Sequence, residues 1–300
     1  MSYWSGVLPA VTTKFTADDR LDIAEMERCF AFQLDAGVHG LIVAGSLGEA
    51  STLDPEEKIA VLEVALRVAA GKVPVLLTVA QGSTRQACRL AEAGARAGAA
   101  GFMVLPGIPY KSEPHETAAH YRAVAKAGGL PVMIYNNPPA YGVDIPPRML
   151  LELADEPLFT AIKESSDDIR RISEIKTLCG DRFKVLTGVD NLALESLAMG
   201  ADGWVAGLVV AYPRETVAIY ELARAGRMAE AIAIYRWFRP LLDLDVSARL
   251  VQNIKLVEAL AIGSNDRCRA PRMALSGPER ARIEAVVKAA EAGRPTLPSF

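Results

Sequence analysis

The segment PVMIYNNPPAYGVDIPPRMLLELADEPLFTAIKES, residues 131–165, holds two short apolar runs, PVMIYN (131–136) and FTAIKE (159–164). Both are continuous rather than alternating, the pattern of strands covered on both faces. Runs of the same kind recur along the chain: VLPAVTT (7–13), GLIVAG (40–45), PVLLTVA (74–80), GFMVLP (101–106), KVLTGV (184–189) and GWVAGLVV (203–210). A segment of helical period follows each. In 22–36, Ile23, Met26, Phe30 and Leu34 keep one stripe at spacings of three and four. The next helix opens at Asp54-Pro55-Glu56-Glu57. There Asp caps free amides, Pro suits the first turn, and Glu57 stands where a capping box needs its carboxylate. Gly37, Gly71, Gly98 and Gly128 fall where helices take C-terminal caps.

Eight β-then-α units within about 225 residues predict a closed (β/α)8 TIM barrel, whose typical size is ~250 residues. A doubly wound sheet, the alternative, usually has about six strands and a nucleotide fingerprint. Near residue 227 the strand signal stops. Segments 228–242, 247–262 and 278–292 read as helices, split by the loop GSNDRCRAP (263–271). The expected organisation is a barrel over 1–226 and a C-terminal helical region over 227–300, packed as one unit because no low-complexity linker separates them.

The 300 residues are 51% apolar and 23% charged, with a net charge of -3, so the chain can bury a sizeable core. That charge provides no basic field for nucleic acid or an anionic membrane. The four cysteines, Cys29, Cys88, Cys179 and Cys268, form no C-x-x-C pair and suggest neither a disulfide framework nor a thiolate zinc site. The start, MSYWSGVLPA, lacks the basic and apolar regions of a secretory signal. No apolar run approaches the ~20 residues that cross a bilayer. A soluble protein of a reducing compartment, the cytoplasm, is expected.

Barrel active sites lie at the C-terminal ends of the strands. A metal centre is not expected, because His39, His115 and His120 precede a strand or lie in a helix without H-x-H or HExxH spacing. The loops TGVDN and AGLVVAYP lack a glycine-rich phosphate nest, and no G-x-G-x-x-G follows a strand. Lys163 remains, at the end of FTAIKE. Burial there disfavours the ammonium and lowers the pKa, and a neutral amine in a carbonyl-binding pocket is a Schiff-base nucleophile. The plainer alternative is a strand-end lysine that snorkels to water or pairs with Glu164. Tyr135 ends the preceding strand, where its hydroxyl can shuttle the protons of carbinolamine chemistry, or where its ring simply caps the core. Gly45-Ser46-Leu47-Gly48-Glu49 follows the second strand. Small residues and consecutive free amides suit a substrate carboxylate, although such a loop can also be just a tight turn.

GSLGEASTLDPEEK, IYNNP, AIKES, TGVD and GADGWVAG occur here in the order and spacing of the dihydrodipicolinate synthase / N-acetylneuraminate lyase family, which the chain resembles along nearly its whole length. The resemblance implies a (β/α)8 barrel acting on α-keto acids through a lysine Schiff base, without cofactor or metal. It also implies a homotetramer built as a dimer of dimers. By position, Lys163 would be the Schiff-base lysine and Tyr135 the proton-transfer tyrosine. Ser46 and the Leu47 amide would hold the substrate carboxylate, carbonyls of Gly188 and Val205 would line the pocket, and Asp190 would lie near the distal end of the substrate. The resemblance also exposes departures from the synthase. Leu47 stands where the synthase has a second relay hydroxyl, and Pro109 where its cross-subunit tyrosine falls, with Tyr110 one place away. Ala140 matches the arginine that binds the second substrate's carboxylate, a buried charge contact whose loss costs on the order of 2–5 kcal/mol.

Within the family, YNNPPAYGVDIP, IKESSDDIRRI, TGVDNLALESL, GWVAGLVVAYPRE and YRWFRPLLDLD look most like 1-pyrroline-4-hydroxy-2-carboxylate deaminases of bacterial hydroxyproline catabolism. That resemblance implies release of ammonia and 2,5-dioxopentanoate from a cyclic imino acid, and the chemistry would let Ser165 or Asp190 meet the hydroxyl. The alternatives are a 2-keto-3-deoxy sugar acid dehydratase or aldolase, 4-hydroxy-tetrahydrodipicolinate synthase, and a non-enzymatic keto-acid-binding regulator. Other features carry structural expectations only. Trp4, Trp204 and Trp237 read as core or interface packing, Met103, Met133 and Met199 as core filler, and DDIRR (167–171) as a helix start with solvated arginines.

Overall fold

The structure, a computed structural model, describes residues 4–299. Met1–Tyr3 and Phe300 lie outside the described residues, and with them the outer ends of the expected 1–226 and 227–300 regions. Among the described residues there are eight strands: β1 (Gly6–Pro9), β2 (Leu41–Val43), β3 (Val75–Val79), β4 (Gly101–Val104), β5 (Val132–Asn136), β6 (Phe159–Glu164), β7 (Lys184–Thr187) and β8 (Gly203–Ala206). They pair in parallel in the order β1-β8-β7-β6-β5-β4-β3-β2. A parallel bridge between Ala10 and Ile42 joins the two remaining edges. The result is the (β/α)8 barrel that the continuous apolar runs predict, since strands lined by helices on one side and by each other on the other have no wet face.

Helices alternate with the strands: α1 (Ile23–Asp35), α2 (Pro55–Ala69), α3 (Thr84–Ala97), α4 (Pro114–Gly128), α5 (Pro138–Tyr141), α6 (Pro147–Glu152), α7 (Arg170–Cys179), α8 (Ala193–Ala198) and α9 (Pro213–Arg224). Past the barrel come α10 (Met228–Leu242), α11 (Leu250–Ile262) and α12 (Gly277–Ala292). The α2 start forms as its sequence requires, the Glu57 carboxylate accepting from the Asp54 amide at 3.0 Å. Among the described residues no helix is long and apolar enough to cross a membrane.

Several local expectations need correction. Gly128 does not cap α4. It is buried in the last turn, where a Cβ would fall 2.3 Å from the Phe102 ring, and Gly129, at φ +62°, ends the helix. The run 203–210 stops being a strand at Ala206, because the amides of Gly207 and Leu208 turn inward to the Asp190 carboxylate. Met199 is not core filler; it is 47% exposed. Arg171 is not a solvated arginine but forms a two-pronged pair with Asp144 at 2.6 and 2.8 Å.

The C-terminal helices are tied to the mouth of the barrel by buried charge. Lys255 on α11 bonds Glu49 of the loop after β2, and Glu258 on the same helix bonds Lys14 and, at 2.8 Å, the Thr12 hydroxyl. All four charged side chains are at most 1% exposed. Such a pair contributes little against an apolar substitute, but removal of one partner strands the other charge. Lys255→Met should therefore lower unfolding stability in urea by about 3–5 kcal/mol. It should also loosen the 45–49 loop that Glu49 anchors.

Candidate active site

Strand pairing decides which side chains meet. Tyr135 and Lys163 are register partners on β5 and β6, and Lys163 is paired in turn with Leu186 on β7. Register partners in a parallel sheet point to the same face, so tyrosine and lysine both enter the barrel interior at one level. The amine lies 4.2 Å from the centroid of the Tyr135 ring, and Lys163 is 6% exposed. Glu164 alternates to the other face, where it accepts from Asn136 Nδ2 at 3.0 Å and from the Ser166 amide at 2.7 Å. Pairing with Glu164 and snorkelling to water are thereby both excluded for Lys163.

The lysine opens into a cavity of about 580 Å³ at the C-terminal end of the barrel. Among the described residues lining it, Lys163 is the only cation. Burial holds its pKa below the usual lysine range, opposed by the nearby Tyr141, Asp245 and Asp190. An amine so placed is available as a neutral nucleophile. The Tyr135 phenol is pushed up, also by burial, and its hydroxyl accepts from Asn137 Nδ2 at 3.1 Å. It is a proton-bearing group with one partner and room for another.

Ser46 and Leu47 line the same cavity from the loop after β2. The Ser46 hydroxyl bonds the Tyr141 hydroxyl at 2.5 Å. The backbone here is bent tightly: Ala44 and Glu49 sit at φ +52° and +59°, the left-handed region that costs a residue with a Cβ energy. Thr13 Oγ1 donates to the Gly48 carbonyl at 2.7 Å, and Glu49 accepts from Lys255 and from the Arg269 amide. Among the described residues the Ser46 and Leu47 amides donate to no backbone carbonyl, as a carboxylate nest requires.

Ser165, Gly188 and Val205 also line the cavity. The Ser165 hydroxyl is buried without a hydrogen-bond partner among the described residues. A buried hydroxyl in that state is open to a ligand. Asp190 is placed otherwise than expected. It does not line the cavity; its oxygens accept from Trp204 Nε1 at 2.9 Å, Gly207 at 3.1 Å and Leu208 at 2.8 Å, so it shapes the end of β8 from beneath. Trp204 accordingly does more than pack. Tyr110 is 60% exposed and donates to Glu116 at 3.0 Å.

Two cavity residues escape the sequence reading. Tyr141 ends the short α5 and packs its ring edge against Tyr135 at 5.7 Å. Asp245 comes from the turn between α10 and α11. Both lie within runs quoted above, YNNPPAYGVDIP and YRWFRPLLDLD, but nothing in those runs singles either residue out; the fold brings them to Lys163.

The dihydrodipicolinate synthetase family model matches residues 3–290. A 4-hydroxy-tetrahydrodipicolinate synthase of Exiguobacterium sibiricum is 35% identical over 275 residues, 91% of this chain and 92% of the relative. One of Methanospirillum hungatei is 36% identical over 243 residues, 79% of this chain and 82% of the relative. Among solved structures, dihydrodipicolinate synthase from Aquifex aeolicus superposes with a TM-score of 0.90 at 28% identity, over 96% of this chain and 98% of that one. A prophage protein of the dihydrodipicolinic acid synthase family from E. coli K12, solved in complex with pyruvate, gives a TM-score of 0.90 at 27% identity, over 96% and 98%. With the family model and the solved structures both matching along nearly the whole chain, the chain belongs to the dihydrodipicolinate synthetase family.

Proposed function

We propose that the chain forms a Schiff base between Lys163 and the carbonyl or imine carbon of a small 2-oxo or cyclic 2-imino acid, and that its substrate is 1-pyrroline-4-hydroxy-2-carboxylate. The observation that carries the reading is the charge inventory of the cavity: one buried lysine with a depressed pKa and no second cation among the described lining residues. The substrate needs one carboxylate contact, which the Ser46–Leu47 loop offers, and one amine to attack C2. It needs no second anion site. Transimination by Lys163 opens the ring, loss of the 4-hydroxyl as water gives a C3=C4 double bond, and proton shifts carry that unsaturation to a C5=N imine. Hydrolysis of this imine and of the Lys163 Schiff base releases ammonia and 2,5-dioxopentanoate, with Tyr135 passing protons. The cavity would hold a small keto or imino acid and neither a nucleic acid nor a lipid.

A second reading, the synthase reaction, is favoured by the names of the relatives. Against it stand Leu47 in place of a hydroxyl and Ala140 in the cavity wall. We assign the chain to the cytoplasm on its cysteine usage and to a homotetramer on the resemblance alone. The test is ammonia release from 1-pyrroline-4-hydroxy-2-carboxylate, coupled to a semialdehyde dehydrogenase, beside condensation of pyruvate with aspartate semialdehyde. Turnover of the first and not the second is expected. The reverse result replaces the deaminase with the synthase.

A further inference from the structure

The carboxyl of Asp245 is the unassigned chemical group nearest the proposed reaction. It lies over the end of β8, where Gly207 leaves it room: a Cβ on that glycine would fall 2.8 Å from Asp245 Oδ1. The turn that carries it is held in place from α11, Asn253 Nδ2 donating to the Leu244 carbonyl and to Ser247 Oγ, each at 3.0 Å. The Asp245 amide is tied back to Leu242 at 3.1 Å. Although its backbone is pinned on both sides, its carboxyl makes no side-chain hydrogen bond or ion pair among the described residues, and it faces the cavity of Lys163. Asp190, directly below, is already spent on the amides of Gly207 and Leu208.

We propose that Asp245 hydrogen-bonds the hydroxyl on C4 of the bound 4-hydroxy acid and delivers the proton with which that hydroxyl leaves as water. This rests on the Schiff-base reading above and adds to it the class of substrate, a 2-oxo or 2-imino acid with a hydroxyl two carbons from the Schiff-base carbon. The step balances as follows. The protonated Schiff base at C2 acidifies C3–H, which loses its proton to the amine freed by ring opening. The resulting enamine pair forms the C3=C4 bond, the C4–O bond breaks, the oxygen takes the Asp245 proton, and the carboxylate is reprotonated from solvent at the cavity mouth. Burial and the charge of Asp190 raise the Asp245 pKa and Lys163 opposes them, a net direction that favours the acid form. The same carboxyl in its ionised form would instead pull the proton from the C4 hydroxyl and cleave C3–C4, as an aldolase does. A protonated Asp245 therefore selects elimination over cleavage.

The test uses the full chain and Asp245→Asn with three probes. These are pyruvate plus borohydride, which reads adduct formation on Lys163 alone, 1-pyrroline-4-hydroxy-2-carboxylate, and a 2-keto-3-deoxy sugar acid. Asparagine keeps the shape and loses the proton. Expected are pyruvate labelling within about twofold of wild type and dehydration reduced at least about 100-fold, the scale of a lost general acid. Dehydration in Asp245→Asn within threefold of wild type overturns the assignment. So does labelling that falls in parallel with turnover, because Asp245 would then act only through Lys163. If the wild type dehydrates the sugar acid and not the pyrroline, the substrate proposed above falls, and the variant's rate on the sugar acid decides for or against Asp245. Dehydration of neither overturns both.

Discussion

Lys163→Ala is expected to abolish borohydride-trappable pyruvate adduct and to lower turnover of the true substrate by at least about 10⁴-fold, the scale on which a covalent nucleophile is lost. The fold should survive, because the amine is buried at 6% exposure and burial alone opposes its charge. The other buried lysines offer no substitute: Lys14 and Lys255 are paired with carboxylates, and Lys58 donates to Gln81 Oε1 at 2.6 Å. A labelled adduct persisting in Lys163→Ala would move the chemistry elsewhere.

The depressed pKa of Lys163 adds a direction in pH. Adduct formation in the wild type should rise with pH and level off below 10.5, the value of an ordinary lysine. The same shift is a stability statement. Between the folded value and 10.5 the unfolded chain holds the proton and the folded chain has lost it, so stability rises with pH through that window. Below the folded value the full penalty of a buried ammonium applies. Lys163→Met should flatten that slope, and urea unfolding across the alkaline range measures it.

The strands were legible because a parallel strand has no wet face, so each appears as an unbroken apolar run. Their ends were not, since apolar character continues past the last ladder bond: Val11 and Leu208 are buried but lie outside β1 and β8. Lys163 stood out as a charge at the end of an apolar run, and the pairing of β5 with β6 puts Tyr135 beside it. Asp190 shows the limit. Its place after β7 resembles a substrate contact, and only the tertiary fold reveals that three donors from β8 and its following turn consume its oxygens. Asp245 fails the other way. It sits in a turn of a helical region with no period to mark it, and it becomes a cavity residue because α11 folds back over the barrel mouth.

Gly188→Ala should cost more in activity than its single methyl suggests. The φ of Gly188 is outside the left-handed region, so alanine meets no backbone strain there, and the penalty is contact alone. The added Cβ would lie 2.2 Å from Ser165 Oγ and 2.3 Å from Lys163 Cε. Both are side-chain atoms, and the lysine stem is the more flexible, so the strand can hold while the amine is displaced. Overpacking of this kind costs about 1–3 kcal/mol of stability. A reacting group displaced by an ångström costs on the order of 100-fold in rate. The expected result is a folded protein with kcat/KM down at least about 100-fold and pyruvate labelling slowed in step. Adding Ser165→Gly to Gly188→Ala removes the nearer clash and leaves the one with the lysine. If the double variant stays slow, the position of the Lys163 amine is what Gly188 protects; recovery of turnover would assign the effect to Ser165 instead.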